Sequence, residues 1–140
     1  MNPALLSSVK HDYGTPRDLF ERYNRIYRFT LDVCATAENA KCKRYFTPEQ
    51  DGLAQPWSGR CWMNPPYGRE IGKWVNKAFV STAMHEADVV VCLLPARTDT
   101  QWFHQWCKQA QVEFLEGRIQ FDGATGPAPF PSMIVTWGAR

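Results

Sequence analysis

Residues 61–95 read CWMNPPYGREIGKWVNKAFVSTAMHEADVVVCLLP, and this stretch decides the fold. RCWMN, residues 60–64, is a brief strand that Pro65 and Pro66 stop, because proline cannot donate to a sheet ladder. Ile71, Trp74, Val75, Ala78, Phe79 and Thr82 then recur at helical spacing, which predicts an amphipathic helix over 69–84. ADVVVCLLP, residues 87–95, is apolar almost throughout, as a central parallel strand covered on both faces must be. A strand, a helix and a buried strand in succession make a βαβ unit and predict an α/β sheet that is mainly parallel.

The flanking sequence extends this pattern. TPRDLFERYNRIY, residues 15–27, reads as a helix with Thr15 as N-cap and Pro16 in the first helical position. Its apolar face is Leu19, Phe20, Tyr23, Ile26 and Tyr27. RFTLDVCA, residues 28–35, reads as a buried strand ending near Asp32 to Ala35. The polar stretch 36–60 has room for a short helix near Glu38 to Cys42 and a short strand around Tyr45. Loops of that length in a folded domain tend to carry function or to be disordered. TDTQWFHQWCKQA, residues 98–110, reads as a helix capped by Thr98, with Trp102, Phe103, Trp106 and Ala110 turned toward the core. VEFLEG, RIQF and SMIVTWG read as closing strands with no helix between them, hence an antiparallel C-terminal edge. A Gly- and Pro-rich loop over 122–131 joins the last two.

The totals set bounds. The chain has 140 residues, 44% of them hydrophobic, which suits a single domain over 1–140 with residues 1–12 as a flexible arm. A net charge of +2 neither demands nor forbids a nucleic-acid partner. The five cysteines include no Cys-x-x-Cys pair and fit no zinc spacing, so reduced thiols in a cytoplasmic protein are expected and no metal is. The opening MNPALLSSVKHDYG lacks the regions of a signal peptide, and no apolar run approaches the ~20 residues of a membrane span.

Asn64-Pro65-Pro66-Tyr67 carries the chemistry. An Asn-Pro pair commonly opens a turn, and a Tyr commonly anchors one. Here the motif ends a strand, opens onto a helix and falls on the carboxyl edge of the sheet, where open α/β folds bind ligands. Asp32 to Thr36 and Pro95 to Thr98 end strands on the same edge. The Asn64 amide oxygen and the Pro65 carbonyl are two acceptors on backbone that the following prolines hold extended. Such acceptors suit a conjugated amino group: binding both N–H groups favours a pyramidal nitrogen whose lone pair points outward. Tyr67 can stack on the attached ring.

MNPPY at a strand end resembles the catalytic motif of amino-group methyltransferases. The ordered set YGTPRDLFERY, FTLDVCATAENAKCKRYFTPEQDGLAQPW, CWMNPPYG, LLPARTDTQWFH and GRIQF…PFPSMIV is similar to the phage-encoded, Dam-like DNA N6-adenine methyltransferases over residues 12–137. The resemblance implies a compact Rossmann-like sheet, S-adenosylmethionine as cofactor and DNA as partner, in the cytoplasm of a bacterial host. It implies that Asn64, Pro65, Pro66 and Tyr67 hold a flipped adenine, and that Asp32 begins the cofactor motif. It also sets Asp51 against the cofactor's adenine amino group and Thr15 with Pro16 beside its methionine end. Asp51-Gly52 reads equally as a turn and Thr15-Pro16 as a helix cap. An ionised Asp32 at the end of an apolar strand demands a partner. Asn39 either caps a helix or touches the cofactor's ribose. Arg97, just past the central strand, either meets a DNA phosphate or pairs with Asp99. One departure stands out: no glycine-rich turn follows the first strand, so the cofactor pocket must be compacted or built differently.

The expected reaction is direct, in-line methyl transfer to adenine N6 on a base taken out of the stack. Cytosine N4 and a protein glutamine amide present the same kind of nitrogen and remain open, as does a non-catalytic DNA-binding module. With no separate recognition domain, specificity falls to the loops 36–60 or 122–131, or to a homodimer.

Overall fold

A computed structural model describes residues 14–138; the expected arm over 1–12 lies outside the described residues. Its centre is a six-stranded sheet. In chain order the strands are β1 (Leu31–Asp32), β2 (Arg44–Tyr45), β3 (Gly59–Met63), β4 (Ala87–Pro95), β5 (Gln111–Phe114) and β6 (Ser132–Gly138). Their order across the sheet is β2-β1-β3-β4-β6-β5. The first four are mutually parallel, and β6 runs antiparallel to both neighbours. An α/β fold, mainly parallel with an antiparallel C-terminal edge, is therefore what the chain adopts.

Alternation along the strands sorts the core into two layers, because successive side chains leave opposite faces. Val90, Cys92 and Leu94 of β4, with Cys61, Met63, Met133 and Val135, pack against helix α2 (Ile71–Ala83) through Ile71, Trp74, Val75 and Ala78. Val89, Val91 and Leu93 of β4, with Trp62 and Ile134, pack against helix α1 (Arg17–Tyr27) through Phe20 and Tyr23. β4 is thus covered on both faces, as its unbroken apolar run requires. All five cysteines are unbridged thiols.

Several local expectations need correction. Helix α1 starts at Arg17 with Pro16 in the cap position, and Thr15 makes no capping hydrogen bond. Proline has no N–H to lose there and no side chain with which to cap. Ile26 points to solvent at 65% exposure, so the inward face of α1 is narrower than its apolar spacing suggests. Residues 36–40 form one turn, not a helix, since Thr36 and Asn39 cap each other (Thr36 N–H to Asn39 Oδ1, 2.8 Å; Asn39 N–H to Thr36 Oγ1, 3.3 Å). The helix after β4 is a short segment from Gln101 that widens into a π-turn at Phe103–Cys107. Its cap is Thr100, whose Oγ1 accepts the Phe103 N–H at 3.3 Å, so Thr98 lies two residues too early. RIQF, residues 118–121, joins no strand of the sheet; its Ile119 carbonyl instead accepts the Ala128 N–H at 2.8 Å, closing the following loop on itself.

Strand order places the site. From β1 the chain moves outward to β2, then returns past β1 to β3. The direction of winding thus reverses between β1 and β3, and a crevice opens where their carboxyl ends diverge.

Candidate active site

A cavity of about 490 Å³ occupies that crevice. The size is ordinary for a small-molecule site. Asn64, Pro65, Pro66 and Tyr67 line it from the end of β3, Asp32 and Asn39 from the segment after β1, and Thr15 and Asp51 from the chain to either side. Pro16 and Arg97 do not line it.

The turn after β1 is built without glycine. Asp32 is 3% exposed, and its two carboxylate oxygens accept the backbone N–H groups of Cys34 at 3.3 Å and Lys41 at 3.0 Å. One side chain thereby ties down the start and end of the connection. Burial raises the Asp32 carboxyl to about 6, against the pull of those two N–H groups and of the Lys41 ammonium. Asn39 completes the turn with Thr36 and faces the cavity.

A close backbone approach still occurs, supplied from farther along the chain. Gly52, in a 3-10 turn over Gly52–Ala54, packs on the backbone of Val33, and a Cβ there would lie 2.2 Å from the Val33 carbonyl oxygen. The turn is pinned from outside. Trp57 Nε1 donates to the Gly52 carbonyl at 2.8 Å, Lys77 Nζ donates to the Leu53 carbonyl at 3.0 Å, and Trp57 stacks on Trp74. Asp51 caps this turn through Leu53 N–H at 3.2 Å, in a left-handed conformation with φ 57°. The turn reading and the cavity position of Asp51 therefore coincide.

At the other side of the crevice the Tyr67 hydroxyl donates to the Leu93 carbonyl at 2.8 Å and stands 3.1 Å from Asn64 Oδ1. Phe121 and Phe130 meet the Tyr67 ring edge-on, with centroids 6.1 and 5.7 Å away. Burial pushes the Tyr67 hydroxyl well above its usual range, so it is a neutral donor. Arg97 sits beyond this group with its guanidinium 5.9 Å from the Phe130 ring centroid, and no ion pair to Asp99 forms among the described residues. The buried aromatic pair Trp102 and Phe103 belongs to the core on the α2 side, as expected from the sequence.

Four contributors escape a reading of the sequence. Phe121 and Phe130 bracket the Gly- and Pro-rich loop FDGATGPAPF, and aromatic residues at both ends of such a loop are the signal that would have found them. The loop is drawn to the site by Asp122 N–H, which donates to the Gly14 carbonyl at 3.0 Å beside Thr15. Gly52 appears in sequence only as half of an Asp-Gly turn. Lys41, half-buried on the cavity lining, carries no local signal at all. Its ammonium donates to the Asn39 carbonyl at 3.2 Å. Burial lowers its pKa, with the Arg17 guanidinium acting in the same direction and the Asp122 and Asp32 carboxylates opposing.

Comparison with known proteins now identifies the family. A family model described as DNA N-6-adenine-methyltransferase (Dam) matches residues 3–134. A DNA N-6-adenine-methyltransferase of Haemophilus phage HP1 is 38% identical over 120 residues, which is 81% of this chain and 68% of that protein. One from Escherichia phage T1 is 31% identical over 82% of this chain, which spans about half (49%) of that longer relative. A putative methyltransferase of Escherichia coli K12, YfdM, is 36% identical over 70 residues, 44% of this chain and 77% of that protein. The chain belongs to the DNA N-6-adenine-methyltransferase (Dam) family, and thereby to the adenine-specific DNA methyltransferases.

Proposed function

We propose that this chain transfers a methyl group from S-adenosylmethionine to the N6 amino group of an adenine flipped out of DNA, in the cytoplasm of a bacterial host, on a compact Rossmann-like sheet. One observation carries the reading: a single cavity at the switch point of the sheet joins Asn64, Pro65, Pro66 and Tyr67 to Thr15, Asp32, Asn39 and Asp51. The lining suits the cofactor. Phe46, Leu53 and Trp74 offer apolar and aromatic surface for a purine, and Thr15, Asp32, Asn39 and Lys41 offer polar groups of both charge signs for an amino-acid end. In this reading Asp51 accepts from the cofactor's exocyclic amine and Asn39 meets a ribose hydroxyl, which their positions on the cavity lining support. Pro16 acts from outside the cavity, by directing the chain from Thr15 into α1.

When bound, S-adenosylmethionine supplies an electrophilic methyl group on a sulfonium. The protein's part is to hold the acceptor. The Asn64 amide oxygen and the Pro65 carbonyl receive the two N–H groups of the adenine amine and turn its lone pair outward. An amide oxygen has two lone pairs, so its contact with the Tyr67 hydroxyl is compatible with this role. Tyr67 holds the plane of the base and is itself held by Leu93, Phe121 and Phe130. Fixed acceptors of this kind reorganise little during reaction, which is how electrostatic catalysis gains rate. A base must leave the duplex to reach such a slot, at a cost of a few kcal/mol that stacking and hydrogen bonds offset. In this reading Arg97 meets a DNA phosphate, which its exposure beside Phe130 supports.

The test is methylation of defined DNA by purified protein with methyl-labelled cofactor, followed by mass analysis of the nucleosides. N6-methyladenine is the expected product. Label in N4-methylcytosine or in protein, or no label in DNA, overturns the reading.

A further inference from the structure

Lys41 is the half-buried cation of the cavity, and nothing in the motif chemistry uses it. Arg69, the other cation on the lining, is exposed. The Lys41 backbone has a clear structural task, since its N–H closes the turn on Asp32. The side chain does not share that task. Its ammonium has three donor hydrogens, one of which reaches the Asn39 carbonyl, and it forms no ion pair within 4.0 Å among the described residues. A half-buried ammonium gives up hydration that a single neutral carbonyl does not restore, and an anion would.

The neighbours give that anion a chemical identity. Thr15 is 2% exposed, lines the same cavity, and its hydroxyl makes no hydrogen bond among the described residues. Gly14, next to Thr15, approaches both Asn39 and Asp122. Asp32 and Asp122 lie close enough to act on the Lys41 charge without pairing with it. The Lys41 ammonium, the Asp32 carboxylate and the Thr15 hydroxyl line the same cavity and form a set for a zwitterion. A carboxylate fits on the ammonium and the hydroxyl, and an ammonium fits toward Asp32.

Resting on the reading that the cavity takes S-adenosylmethionine, we propose that Lys41 receives the carboxylate of the cofactor's amino-acid end, with the Thr15 hydroxyl as a second donor. Lys41 is then a binding residue that fixes the orientation of the cofactor along the crevice.

Calorimetry with two ligands tests this. S-adenosylhomocysteine carries the amino-acid end, and 5′-methylthioadenosine lacks it. Lys41→Met should weaken S-adenosylhomocysteine about 10- to 100-fold, the range for a lost hydrogen bond to a charged group. Binding of 5′-methylthioadenosine should stay within about twofold, which also shows that the variant is folded. Lys41→Arg should recover part of the loss. An equal loss for both ligands, or none for either, overturns the role of Lys41 and leaves the cofactor reading standing. Wild-type protein that binds neither ligand overturns both.

Discussion

The Tyr67 hydroxyl donates to the Leu93 carbonyl at 2.8 Å, tying the turn that follows β3 to the neighbouring strand β4. The ring is thus fixed along its long axis by a strand and across it by two phenylalanines. Tyr67→Phe keeps the ring and removes only the tether, so it should cost about 1 kcal/mol of stability and less than tenfold in methyl transfer. Tyr67→Ala should lose most transfer. A denaturant midpoint and a labelled-methyl assay on both variants check the contrast.

Asn64→Ala removes one of the two proposed acceptors for the amine while leaving the cofactor's side of the cavity intact. Methyl transfer should fall by about 10²- to 10³-fold, the scale for losing one preorganised electrostatic contact. Cofactor affinity measured by calorimetry should stay near that of wild type. Near-normal incorporation of label into DNA would remove Asn64 from the mechanism.

Burial holds the Asp32 carboxyl at about 6, above its ordinary value of 3.8. Between those pH values the folded chain binds more protons than the unfolded one. The contribution of Asp32 to stability therefore declines as pH rises from about 4 to about 6 and is flat above that. Asp32→Asn should flatten this component of the pH profile, and urea midpoints at closely spaced pH values will show it. An unchanged slope in the variant would mean that the carboxylate is better solvated than its burial implies.

Gly52→Ala places a methyl group against the Val33 carbonyl and Trp74, neither of which has room to yield. The expected penalty is about 1–3 kcal/mol, seen as a lower melting temperature, together with weaker cofactor binding because Asp51 shifts with the turn. Gly68→Ala is the control, since a Cβ there meets nothing within 4 Å.

What could be read in advance followed the range of the interactions concerned. Helix α2 and strand β4 declare themselves through spacing and unbroken apolarity, both local signals. Their succession carries the parallel centre of the sheet, and with it the edge where the motif lies. The sequence sets both caps early, by one residue at Thr15 and by two at Thr98, because a threonine shortly before a helix looks like one at its start. RIQF has strand-like composition, yet no strand offers it an edge, since β5 already covers β6. The missed site residues act over long separations. Phe121 and Phe130 meet a tyrosine more than fifty positions earlier, and Gly52 meets Val33 across the β1–β2 excursion. The absent glycine-rich turn was visible as an absence, but its replacement by Asp32, Lys41 and Gly52 needed three segments to be seen together.

The placement of β6 between β4 and β5 bears on how the molecule is made. β4 ends at Pro95 and the strand that covers its far side begins at Ser132, with 36 residues between them. At ~5–20 residues per second of synthesis, roughly 2 to 7 seconds pass before translation of that partner begins. Through this interval one side of the most apolar strand has no neighbour, and β5, although already synthesised, cannot take the vacant place without displacing β6 from the final order. The central strand therefore loses its open side only when the last strand of the sheet arrives, so a long-range pairing, and not the local strand-helix-strand unit, completes the centre of the sheet.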